Sequence, residues 1–237
     1  MLNFCAVLIN KDNYAYVFYD KDICFFADSS EPEVLIALSD KNMENGKVYK
    51  KQDLKYLEKI NPRKICGSFT THWHLDHSGG DAILSEKYKI QIYDPSFFKT
   101  QNKPIYIGSY KIIAIHTPCH TKDSFCYNIN DQYCLTGDFI FKLGCGHFFE
   151  GTANDFIKSF RKLDENTPNE ILFLYGHDYY QQNMTFACTK TVYTKEEMKI
   201  AEENIFLTKR QEKKLNIFIK EKNSVKLQKL RNEKSKI

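Results

Sequence analysis

Three short runs rich in β-branched and aromatic residues open the chain, CAVLIN, YAYVFYD and ICFFADS, and the polar breaks between them, KDN and KD, are turn-forming. They predict an antiparallel start. The apolar spacing then becomes helical in EPEVLIALSD and KKQDLKYLEKI, and the second of these stops at Asn61-Pro62, before the strand pattern KICGSFT. GGDAILSEKY reads as a short helix and IQIYD as a strand, followed by strand patterns in YKIIAIHTP, SFCYNIN and QYCLTGDF. NDFIKSFRKL is helical and EILFLYGHD is again a strand. Strands interleaved with helices predict a layered α/β protein, sheets inside and helices outside. Beyond about Tyr180 no strand pattern is left, and TKEEMKIAEENIFLTKRQEKKLNIFIKEK is helix-forming. The expected division is a main domain over 1–180 and a helical one over 181–237.

Composition narrows the class. A chain of 237 residues with 42% hydrophobic and 27% charged positions is that of a globular protein with a packed core. The net charge of +4 is uneven, because lysines accumulate after Lys195. A Lys/Glu-mixed run of this kind reads first as a solvated helix face, and otherwise as a contact for a small anion, nucleic acid or an anionic membrane. The eight cysteines show no CxxC pair, and several lie inside strand patterns, where a free thiol acts as a small hydrophobe. They imply a reducing compartment, and the expected location is the cytoplasm. The N-terminus has no leader pattern, and no run nears the roughly 18 apolar residues that cross a bilayer. No membrane association is expected, and no nucleic-acid partner; a monomer is.

The polar residues that need explaining begin at Thr70, in TTHWHLDHSGG. The chain has seven histidines, and three of them fall with an aspartate between His72 and His77. Imidazoles crowded in this way repel when protonated and gain nothing without a metal. His72, His74, Asp76 and His77 follow KICGSFT; His116 and His120 lie in IHTPCHT, Asp138 in LTGD and His177 in LYGHD. All sit at the C-terminal ends of predicted strands, which in layered α/β proteins point into one crevice. Imidazole and carboxylate together suit zinc, iron or manganese. One catalytic ion takes three protein ligands and leaves a position open, so this donor set fits two ions sharing a carboxylate. His116 reads as an ordinary hydrogen-bonded strand residue.

HWHLDH followed by SGG, with TPCHT, LTGD and GHD, resembles the signature of the metallo-β-lactamase superfamily. TGDFIFKLGCGHFFEGTANDF and YGHDYYQQNMTFA resemble, more narrowly, the hydroxyacylglutathione hydrolases, or glyoxalase II enzymes. The likeness runs from about Asn13 to the end, with a C-terminal part shorter than is usual there. It implies a metallo-β-lactamase αββα sandwich with a short C-terminal helical domain. It also implies hydrolysis of S-D-lactoylglutathione, a glutathione thioester, to D-lactate and glutathione by a hydroxide bridging two divalent ions, the second step of methylglyoxal detoxification. Zinc is the expected metal, with iron or manganese as alternatives. By position, His72, His74 and His120 match the ligands of one ion, Asp76, His77 and His177 those of the other, and Asp138 the bridge; Asp76 and Asp138 are the catalytic carboxylates. Tyr179, Arg231 and Lys234 match glutathione-binding positions. His147 and Phe149 stand where the common pattern has lysine and tyrosine, which exchanges a fixed cation for one that titrates near neutrality and removes a hydroxyl.

Asp28, at the end of ICFFAD, matches an acidic residue that orients a ligand histidine, although a turn or helix-cap aspartate before Ser29 reads as well. Gly79 and Gly80 are expected to let the backbone turn tightly beneath the site. Rival readings are a persulfide dioxygenase with one iron, a nuclease of the superfamily, and a binding protein with a decayed site. The full second ligand set and GCGHFFEG speak against the first, the lack of further insertions or an extended basic face against the second, and the retention of all seven ligand types against the third.

Overall fold

The opening runs form β1 (Asn3–Ile9), β2 (Asn13–Tyr19) and β3 (Ile23–Ala27), antiparallel in sequence, with Asn3 opposite Tyr19 and Tyr16 opposite Ala27. The computed structural model describes residues 1–101 and 103–236, in two compact units, 1–112 and 113–237.

In the first unit, α1 (Pro32–Leu38) begins on a proline, whose missing N–H costs nothing in a first turn. β4 (Val48–Lys50) pairs parallel with β1, and β5 (Lys64–Phe69) pairs parallel with β3. α2 (Leu75–Ser78), α3 (Asp81–Glu86), β6 (Ile92–Tyr93), α4 (Pro95–Thr100) and β7 (Ile105–Ile107) follow. The six-stranded sheet runs β4-β1-β2-β3-β5-β6, and Val7, Val17 and Phe26 bury one face against Leu35 and Leu38 of α1. Burial of this kind, at roughly 25 cal/mol per Å² of apolar surface, holds the strand end that carries the histidines.

β8 (Tyr110–His116) starts in the first unit, where it pairs with β7, and ends in the second. There β9 (Phe125–Ile129), β10 (Tyr133–Gly137) and the small hairpin of β11 (Ile140–Phe141) and β12 (Gly144–Cys145) precede α5 (Ala153–Glu165). β13 (Leu172–Tyr175) lies parallel to β10, and β9 antiparallel to it. α6 (Tyr180–Cys188), α7 (Lys195–Glu203), α8 (Lys209–Leu215), α9 (Ile217–Lys220) and α10 (Ser224–Lys234) complete the unit.

Two expectations change. KKQDLKYLEKI yields only a 3₁₀ turn over Lys51–Tyr56, because Leu54 is its one buried side chain and the backbone of Asn42 and Ile60 pulls the following residues into extended pairing. The helical stretch after Thr194 is several helices, since Thr208, Asn216 and Asn223 each accept a hydrogen bond from the backbone of a new first turn. Some of the lysines there are paired: Lys213 and Lys209 reach Asp164 at 2.8 and 2.9 Å, and Lys214 reaches Glu197 at 3.6 Å. Among the described residues no helix is long and apolar enough to cross a membrane.

Candidate metal centre

Phe69 ends β5, and one turn of helix brings the first donors together. The backbone N–H groups of His77 and Ser78 both donate to the His74 carbonyl, closing α2. His72 and His77 become buried and His74 half-buried, while Trp73 and Leu75 between them stay exposed. His72 Nε2 and His74 Nδ1 face each other at 2.9 Å, and His77 Nε2 lies 3.6 Å from Asp76 Oδ2. Asp28, at a left-handed φ of 51°, is buried beneath them. Its Oδ1 accepts from the Thr71 N–H, and its Oδ2 accepts from the Thr71 hydroxyl and stands 2.9 Å from His77 Nδ1. A carboxylate there keeps the proton on Nδ1 and leaves the Nε2 lone pair for an ion. It caps no helix: the residue at the N-cap of α1 is Glu31, whose side chain makes no cap bond. Gly80 has an ordinary negative φ, and what requires glycine is proximity, since a Cβ would lie 1.8 Å from the Ser29 carbonyl oxygen. Gly79 likewise has a negative φ, so neither position rests on glycine's freedom at positive φ.

In the second unit the segments that follow three strands supply the donors. His120 Nδ1 donates to the His147 carbonyl at 2.9 Å, which frees Nε2. That Nε2 and His177 Nε2 each stand 3.4 Å from Asp138 Oδ2, and all three residues are buried. Two ligands on one tetrahedral ion with bonds of about 2.0–2.1 Å stand roughly 3.4 Å apart. The donor set thus fits divalent ions in both chemistry and spacing. His116, by contrast, has Nε2 at 2.8 Å from the Lys122 carbonyl and its ring against Phe125.

No family model matches the chain. Among curated proteins it is 34% identical to a probable hydroxyacylglutathione hydrolase of Encephalitozoon cuniculi, over 81% of each chain. It is 30% identical to the cytoplasmic hydroxyacylglutathione hydrolase of Arabidopsis thaliana, over 76% of this chain and 69% of that one. The chain belongs to the hydroxyacylglutathione hydrolase family. The fold agrees. A metallo-β-lactamase from Staphylococcus aureus superposes with a TM-score of 0.64 at 17% identity, covering 96% of this chain and 65% of that one. ETHE1 from Myxococcus xanthus gives 0.59 at 18% identity, covering 95% and 90%.

Around the second donor group of this hydroxyacylglutathione hydrolase family member, the remaining expected residues are spread over one loop and two helices. Tyr179 stacks on His177 at 4.7 Å. His147 stacks on the exposed Phe149, and its Nδ1 lies 3.4 Å from Ser235 Oγ. Burial, then the charges of Arg231, His120 and Lys234, holds the His147 imidazole below its ordinary pKa. Arg231 is buried, donating from Nε to the Gly146 carbonyl at 2.9 Å and from Nη1 to Ser235 Oγ at 3.3 Å. Lys234 donates to Asn183 Oδ1, and burial pushes its pKa down to about 8.

Other buried polar residues carry no signal in the sequence. Asn13 donates to Asp76 Oδ2 at 2.9 Å from an otherwise apolar strand, and nothing in NYAYVFY marks it. Glu212 lies in RQEKKLN, which reads as solvated helix, yet it is fully buried and burial pushes its carboxyl up to about 7. The spacing of Glu212 and Asn216 on one helical face is the only clue to their pairing.

Proposed function

We propose that this protein hydrolyses S-D-lactoylglutathione and related 2-hydroxyacylglutathione thioesters to the hydroxy acid and glutathione, with two divalent ions held by His72, His74, Asp76, His77, His120, Asp138 and His177. The observation that carries the reading is a pair of buried His/Asp donor groups, each with a ligand imidazole oriented from behind, in a chain 34% identical to a hydroxyacylglutathione hydrolase over 81% of its length. Ions bound there would lower the pKa of a coordinated water to about 7 and polarise the thioester carbonyl. The side chains do the rest. Asp28 and the His147 carbonyl fix the tautomers of His77 and His120, so that lone pairs and not protons face inward. Asp138 places one anionic oxygen between two imidazoles. Asp76, whose side chain keeps 42% exposure, is the carboxylate able to take the proton of the attacking water and hand it to solvent.

The departing sulfur leaves as a thiolate, with a pKa near 8.5, and needs no general acid. A cysteine nucleophile has no support, because burial pushes the Cys119 thiol up and the Cys145 thiol to about 11. The glutathione carboxylate is assigned to Arg231 and Lys234, with Tyr179, His147 and Phe149 along the peptide, and residues 181–237 serve as a helical substrate-binding domain that follows a catalytic domain over 1–180. Zinc is the favoured ion, and iron or manganese would serve the same donors. A cytoplasmic location is supported by the eight free thiols, most of them buried.

The test is hydrolysis of S-D-lactoylglutathione by the purified chain, run beside elemental analysis. Thioester cleavage with close to two ions per chain is the expected result. One iron per chain, with oxygen uptake on glutathione persulfide and no thioester cleavage, would replace the hydrolase with a dioxygenase.

A further inference from the structure

Glu212 takes no part in the chemistry above, yet its carboxylate lies inside the second unit and is saturated with donors. Oε1 accepts from the Leu143 N–H at 3.1 Å and from the Tyr175 hydroxyl at 2.9 Å, and Oε2 accepts from Asn216 Nδ2 at 2.8 Å. Asn216 Nδ2 also donates to the Gly144 carbonyl at 2.9 Å, and its own Oδ1 accepts from the Phe218 N–H. One carboxylate therefore ties the tip of the β11–β12 hairpin to the last residue of β13. Leu143 sits at a φ of 56°, which L side chains seldom adopt, so the tip depends on what surrounds it.

That hairpin and the residues flanking it reach every donor of the second group. Asp138 precedes it by two residues. Phe141 sets its ring edge against His177 at 5.7 Å. Gly146 and His147 follow it directly, and the His147 carbonyl orients His120. The other end of the tie, Tyr175, is two residues before His177. We infer that Glu212, backed by Asn216, is a positioning residue: it sets the β11–β12 hairpin against the end of β13 and so holds Asp138, His120 and His177 at the mutual spacing an ion requires. The inference rests on the metal reading above.

The measurement is zinc retention by the full chain against a competing chelator, with kinetics and melting beside it. In Glu212→Gln the new amide nitrogen faces Asn216 Nδ2, donor against donor, and Asn216 cannot turn over without losing Phe218. Tyr175→Phe cuts the other arm more gently. Lys209→Met is the control: it removes a buried tie of α8 that runs from Nζ to the Asp164 carbonyl of α5 at 2.8 Å and not to the hairpin. Both Glu212→Gln and Tyr175→Phe should weaken zinc retention by about tenfold, the low end of what partners behind metal ligands contribute, and lower kcat with KM unchanged. Lys209→Met should melt earlier and keep its zinc. If the Glu212 and Tyr175 variants also melt earlier with wild-type zinc retention, the tie is merely structural and the inference falls. A wild-type chain that takes up no divalent ion would overturn the metal reading first, and this role with it.

Discussion

The two donor groups differ in how the chain assembles them. His72, His74, Asp76 and His77 come from six consecutive residues, and one helical turn completes their arrangement. His120, Asp138 and His177 come from the segments after three separate strands, and their spacing depends on a hairpin, a β-strand and helices that follow the last donor in sequence. A local group tolerates distant change. A distributed one inherits the packing of everything that sets its parts.

The largest effect should come from Asp138→Ala, which removes the one oxygen shared between His120 and His177. Thioester hydrolysis should fall by at least about a hundredfold, more than partners behind the ligands account for, with less metal found per chain by elemental analysis. Asp28→Asn tests the local group. It keeps the shape but weakens the hold on His77 Nδ1, and zinc retention should drop by about tenfold while the Asp138 side of the comparison is left intact. A drop clearly larger than that from Tyr175→Phe would show the local group to lean on a distant partner more heavily than the distributed one does.

A smaller change is expected from His147→Lys, which restores a fixed cation beside a loop of the second group. KM for the glutathione thioester should fall a few-fold, and most at pH 8, where the imidazole is neutral. An unchanged KM at that pH would remove His147 from the substrate contacts. The last effect concerns stability alone. Burial, opposed by the Thr70 hydroxyl and reinforced by Asp28 and Asp94, pushes the Asp81 carboxyl up to about 7. The folded state then binds a proton that the unfolded chain has already lost, so stability declines as pH rises from about 4 toward 7. Asp81→Asn should flatten that decline by roughly 2–3 kcal/mol between pH 5 and pH 8 in denaturant titrations.

The same contrast explains what was legible. The opening hairpins, β5 and the HWHLDH loop were readable because their patterns are local: strand residues bounded by polar turns, and donors packed into one stretch. The strand ends bearing Asp138 and His177 were readable as strand ends, and the family resemblance gave them roles that no spacing could. Asn13, Glu212 and Asn216 were not legible, because a polar residue in a strand or a Lys-rich helix looks solvated until the tertiary structure closes over it. The split of the C-terminal helices was hidden in the same way, since Thr208, Asn216 and Asn223 are unremarkable residues whose capping depends on where the chain turns.

Gly146 carries a last consequence. A Cβ there would lie 2.0 Å from the Asp138 carbonyl oxygen and 2.9 Å from His120 Nδ1, with the Arg231 side chain bonded to its own carbonyl. Its neighbours His147 and Phe149 lean toward solvent and differ from the common pattern of the resemblance, so one short loop joins two regimes of change. At 147 and 149, on the substrate reading proposed above, a new side chain would alter what the enzyme prefers. At 146 any side chain at all displaces the backbone that a ligand leans on, and a drifting lineage has no intermediate step to take.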